Sequence, residues 1–148
     1  MLDAMRTYMA HDPTRDYEIV IGTDSRAGER DVQFVTSVVF RRVGNGGIYF
    51  YTRTEERSVM TMRDRIWKEA MRSITLAQEL RSVLREQFGD EIVWDKRITF
   101  QHIHLDIGTQ GPTRELVDGV SGMVKGYGFE PVIKPDSYGA FVVADLHT

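Results

Sequence analysis

Apolar positions follow two different periods along this chain. From residue 17 to residue 54 they come in short blocks rich in β-branched and aromatic residues, and from 61 to 88 they recur every three or four residues. The first pattern predicts strands and the second an amphipathic helix. YEIVIGTDS (17–25) is a short apolar run ending in Gly, Thr and Asp, and it reads as a central strand. DVQFVTSVVFRRV (31–43) and GIYFYTRT (47–54) predict two more. Between them Gly44, Asn45, Gly46 and Gly47 predict a hairpin, because these residues tolerate positive φ. Ahead of the strands, Leu2, Met5 and Met9 predict a leading helix within residues 1–12, stopped by Asp12 and Pro13.

The helical stretch is anchored by Met62, Ile66, Ala70, Ala77, Leu80, Leu84 and Phe88. Thr61 with Asp64 resembles an N-cap, and Gly89 supplies a stop. A fourth strand is expected at about 97–106. A helix at 112–126 is expected to open at Pro112 and close on glycines. A short fifth strand at 129–134 is cut off by Pro135. The tail, 136–147, is read as a helix capped by Asp136 or Ser137, although AFVVA alone also fits a strand. The order is a leading helix, then β-β-β-α-β-α-β-α. Strands joined by short turns favour antiparallel pairing, and the alternating units that follow favour parallel pairing. The expectation is one α/β domain, residues 1–148, built on a mixed five-stranded sheet with helices on both faces.

Composition narrows the chemistry. Without a cysteine, disulfides and thiolate metal sites are excluded. No stretch approaches the ~18 apolar residues of a membrane span. The first twelve residues carry acids within their apolar pattern, unlike a signal peptide. A cytoplasmic protein without a membrane partner is the expectation. The net charge of −3 argues against tight, indiscriminate duplex binding, which depends on many phosphate contacts. Residues 53–85 nonetheless hold eight Arg or Lys against five Asp or Glu, either a solvated helix surface or a local basic face.

Four stretches carry a resemblance: IGTDS at 21–25, the Arg63-x-Arg65-Ile66-x-x-Glu69 pattern, HLDIG at 104–108 and KPDSYGAFVVAD at 134–145. Together with the element order over residues 15–148, they make the chain similar to ribonuclease H, and more narrowly to the YkuK-type family of uncharacterised ribonuclease-H-like proteins. The resemblance implies the sheet order 3-2-1-4-5. It also implies acids on strand one, on the first long helix, at the end of strand four and on the last helix. In nucleases of this kind such acids hold two divalent metals about 4 Å apart. Hard oxygen donors suit Mg²⁺ or Mn²⁺. The implied partner is a nucleic acid, whether RNA, DNA or a hybrid.

Asp24 fills the first place and Asp106 the strand-four place. Side by side on neighbouring parallel strands, they would repel unless a cation or proton intervened. For the helix, Asp64 and Glu69 compete. At 100° per residue from Ile66, Glu69 falls near 300°, at the edge of the apolar stripe beside Met62 and Leu80, and Asp64 falls near 160°, on the opposite face. An acid bordering the core needs a partner, either a metal past the sheet edge or a salt bridge to Arg65 or Arg72. Asp145 is the candidate on the last helix, where a cation would offset its unfavourable place near a helix C-terminus. Asp136 is its rival but reads better as a cap.

Two other motifs overlap Asp106. His102-x-His104-x-Asp106 opens like a zinc-hydrolase motif, but Ile107 stands where a further His is required. Asp106-Ile-Gly-Thr109 resembles the phosphate turn of sugar kinases and actin-like ATPases, which close nucleotide between two such domains, and this length provides one. His104 remains a candidate for orienting a ligand or moving a proton, or is simply a satisfied strand histidine. Two functions stay open: a divalent-metal-dependent nuclease or phosphodiesterase using Asp24, Glu69, Asp106 and Asp145, and a non-catalytic binding module on the same fold. A Lys or Arg seated among the carboxylates would favour the second.

Overall fold

The computed structural model describes residues 1–94 and 98–137. Helix α1 (Leu2–His11) leads into strands β1 (Tyr17–Ala27), β2 (Val32–Arg42) and β3 (Gly47–Glu56). The long helix α2 (Met62–Trp94) follows, then β4 (Ile98–Gly108), a 3-10 turn (Arg114–Leu116), α3 (Val117–Gly126) and β5 (Glu130–Lys134). The five strands form one sheet in the order β3-β2-β1-β4-β5. The three early strands pair antiparallel, whereas β4 runs parallel to both β1 and β5. The mixed sheet expected from the element order is therefore present. The expected tail helix, and with it Asp145, lies outside the described residues.

Alternation along the strands sorts the core. Tyr17, Ile19 and Ile21 of β1 and Val38 and Phe40 of β2 turn to one face. There they join Ile66, Ala70, Ile74, Ala77 and Leu84 of α2 and Val120 and Val124 of α3 in a single cluster. The apolar stripe read from the sequence is thus the face that α2 buries. Its start is a reciprocal cap: the Asp64 N–H donates to Thr61 Oγ1 (3.1 Å) and the Thr61 N–H to Asp64 Oδ2 (3.3 Å). Gly89 leaves the helical region, at φ 75° and ψ 165°, and the helix resumes beyond it as far as Trp94.

The helix expected to open at Pro112 starts later. Gly111 takes φ +86°, and the Gly108 N–H donates to Thr113 Oγ1 (3.3 Å), so Pro112 sits in a turn. Helical structure begins as the 3-10 turn at Arg114. Among the described residues, no helix is long and apolar enough to cross a membrane.

Candidate active site

The site begins where two parallel strands part. β1 and β4 are in register to the pair Gly22↔His104, the last in their ladder. Asp24 and Asp106 each follow that pair by the same step, so alternation turns both to the same side of the sheet. Neither lies at the very end of its strand, as the sequence suggested, because β1 stays paired with β2 through Asp24↔Val35 and on to Ala27. It is the parallel ladder that ends early. The neighbour on the other side of β1 is antiparallel, so this is the point where strand direction switches and where ligands gather in α/β sheets.

Thr23 and Ser25, flanking Asp24, turn instead toward α2. Thr23 Oγ1 shares hydrogen bonds with Ser73 Oγ (2.7 Å) and Thr36 Oγ1 (2.9 Å), all buried. Ser25 Oγ donates to Glu69 Oε1 at 3.0 Å. The same oxygen accepts from Arg65 Nε at 3.0 Å, while Arg65 Nη2 donates to the Ser25 carbonyl at 3.0 Å. Glu69 is only 9% exposed. Burial, then the negative charge of Asp24 and, more weakly, of Asp106, push its carboxyl up to about 8, against the opposing pull of Ser25 and Arg65. Of the two acids weighed on the helix, Glu69 is the one that shares a field with both aspartates, and Asp64 is occupied in the cap.

The basic side chains and histidines nearby divide differently. Arg72 and Lys68 both bind Glu56, the lysine at 2.7 Å, and the Arg72 guanidinium lies 4.4 Å over the Phe34 ring. Arg65 reaches Glu69 through Ser25. His104 is 3% exposed and, with Thr23, Glu69 and Ser73, lines a gap of about 10 Å³, room for roughly one water. His102 is partly exposed, with a buried Nδ1 that has no hydrogen-bond partner.

Lys134 was missed by sequence reasoning. Its Nζ lies 2.8 Å from Asp106 Oδ1. Lys134 ends β5, the strand beside β4 in the sheet, a place visible only once the strands are paired.

Asp24, Glu69 and Asp106 offer hard oxygen donors of the kind Mg²⁺ and Mn²⁺ require. The Glu69 carboxyl, driven up first by burial and then by Asp24 and Asp106, also lies in a field that a cation would relieve. In chemistry the set fits a divalent ion. In placement it is not a finished cage, since among the described residues no three His, Asp or Glu side chains are grouped to hold a metal. Asp106 faces a lysine instead.

A sheet of order 3-2-1-4-5 with acids where β1 and β4 part is the ribonuclease-H-like arrangement. The comparison agrees: residues 1–148 match the family described as Ribonuclease H-like, and the chain belongs to it. It is similar to the "Uncharacterized protein YkuK" of Bacillus subtilis (strain 168), with 29% identity over 153 residues covering 100% of this chain and 88% of that protein.

Proposed function

We propose that the protein is a divalent-metal-dependent nuclease or phosphodiesterase that hydrolyses nucleic-acid phosphodiester bonds. Asp24, Glu69 and Asp106 are its carboxylates, with Asp145 as the fourth. The observation that carries this reading is the state of Glu69. A glutamate raised to about 8, first by burial and then by the charge of Asp24 and Asp106, is costly to keep charged unless a cation arrives. When bound, Mg²⁺ or Mn²⁺ supplies Lewis-acid polarisation of the phosphoryl oxygen and a water of lowered pKa. The chain supplies position. Ser25 holds Glu69 and is itself held by Arg65, Asp24 and Asp106 stand just past the last β1–β4 pair, and His104 lies buried in the strand behind Asp106.

The test is a cleavage panel of RNA, DNA, hybrid, branched-junction and small phosphodiester substrates with Mg²⁺ or Mn²⁺, run beside Asp24→Asn. Cleavage of at least one substrate is expected, with the variant reduced by more than about a hundredfold, since even residues behind metal ligands cost 10–100-fold. Undiminished cleavage by the variant sinks the assignment.

One observation favours a second reading. The Lys134–Asp106 pair places a cation of the protein's own among the acids, as expected of a non-catalytic binding module. That reading predicts no cleavage across the panel and nucleic-acid binding that persists in EDTA.

A further inference from the structure

We infer that Lys134 and a divalent cation compete for Asp106, so that the lysine must leave this carboxylate before a metal can be held there. The inference rests on the metal-dependent reading above and adds a residue to it. It starts from a direct contact, Lys134 Nζ to Asp106 Oδ1 at 2.8 Å. The contact is prepared by the backbone. After a register shift in the β4–β5 ladder, Gly108 pairs with Lys134. A Cβ on Gly108 would stand only 3.2 Å from the Cβ of Lys134, so glycine at 108 gives the lysine room at that edge. Asp106 lies two positions before Gly108, within reach of the lysine's stem.

The pair is also easy to undo. The Lys134 side chain is 55% exposed and that of Asp106 38%. A solvated pair of this kind changes an equilibrium constant by no more than about fivefold. Lysine is a compact point charge on a flexible stem, able to swing clear without disturbing the sheet. The lysine brings one positive charge to Asp106, and a divalent ion brings twice that charge. The arrangement suits a protein cation that partly neutralises the acids and yields to the stronger one.

The test uses the full chain without nucleic acid. Mn²⁺ binding is measured at fixed pH and ionic strength by calorimetry and by loss of the free-ion paramagnetic signal. Wild type, Lys134→Met, Lys134→Gln, Lys134→Arg and Asp106→Asn are compared, with circular dichroism and melting temperature verifying the fold of each. Lys134→Met and Lys134→Gln are expected to bind Mn²⁺ about five- to tenfold more tightly than wild type, as both the pair and the ammonium's repulsion of the ion are removed. Lys134→Arg should stay within about twofold of wild type, and Asp106→Asn should lose most of the binding. Mg²⁺ added to the wild type should also move the NMR signals of the Lys134 ε-methylene. Equal or weaker binding by Lys134→Met and Lys134→Gln, with Asp106→Asn still impaired, overturns the competition and leaves the metal site standing. Absence of Mn²⁺ binding at millimolar concentration in every variant overturns the metal reading and the competition together.

Discussion

At the start of β1, the Tyr17 hydroxyl donates to the Asp12 carbonyl (2.7 Å) and accepts from Arg42 Nε (3.2 Å). Arg42 Nη2 donates to the Tyr8 carbonyl (2.9 Å), and its guanidinium lies 4.1 Å over the Tyr8 ring. Toward the other end of the same strand, Asp24 stands near a buried glutamate and a second aspartate. The two ends treat charge in opposite ways. Asp12 is held below the ordinary carboxylate range, first by the Thr14 hydroxyl and then by Arg15, and Arg42 is held above its ordinary value, first by its bond to Tyr17. Both shifts favour the charged form. Glu69 is driven the other way, chiefly by burial and then by Asp24. One end of the strand spends its polar groups on holding the fold. The other leaves electrostatic strain in place, and strain of that sort is found where a protein must meet something else.

The contrast can be broken first at its stable end. Tyr17→Ala removes a fully buried ring packed 5.2 Å from Phe40 and 6.1 Å from Tyr8. A loss of about 3–5 kcal/mol is expected in urea unfolding. A loss below about 1 kcal/mol would remove the claim that this end anchors the sheet.

Glu69→Gln should act with the opposite sign. Because the folded value of about 8 lies above the ordinary 4.5, the folded state keeps a proton that the unfolded chain releases between those values. The stability associated with that proton is complete below pH 4.5 and is lost as pH rises toward 8, by roughly 1.4 kcal/mol per unit. The glutamine variant should abolish that slope, leaving a metal-free gain on the order of 2–4 kcal/mol at pH 8 and little at pH 4. Unfolding curves at several pH values in EDTA decide it, and an unchanged slope means that Glu69 is ionised in the fold.

Asp24→Asn sharpens the division of causes. NMR titration of the Glu69 carboxyl should show a fall of about one unit, not a return to 4.5, since burial is the larger cause. The smallest effect lies away from both ends of the strand. Thr61→Ala breaks the cap of α2 and should cost about 1 kcal/mol by thermal unfolding without altering the Glu69 titration.

Much of this was legible in the sequence. A change of period at the long helix and the order of elements led to the mixed sheet. Glu69 could be chosen over Asp64 because an apolar stripe fixes how a helix is rotated, and so which acids border the core. Asp24 and Asp106 could be paired because the resemblance makes their strands neighbours, and β1 and β4 do pair in the sheet.

The parts that were not legible depend on contacts between side chains. An exposed lysine closing a short strand has the same pattern whether it faces solvent or, like Lys134, an aspartate. The route from Arg65 through Ser25 to Glu69 depends on rotamers chosen only once α2 has docked on β1. The late start of helical structure at Arg114 was hidden because the Thr113 hydroxyl ties the turn back to Gly108. Asp145 lies outside the described residues, so its part in the site stays a proposal.

The hydrogen bond between Thr23 and Ser73 has a consequence for the acids beside it. Thr23 adjoins Asp24 in β1, and Ser73 follows Glu69 by about one helical turn in α2. A neutral, fully buried clasp therefore sets how far the strand stands from the helix at the level where their carboxylates approach. Because neither hydroxyl titrates in the working range, the spacing is insulated from the charge it frames. Protons and cations can be exchanged at the acids while the frame that presents them stays the same.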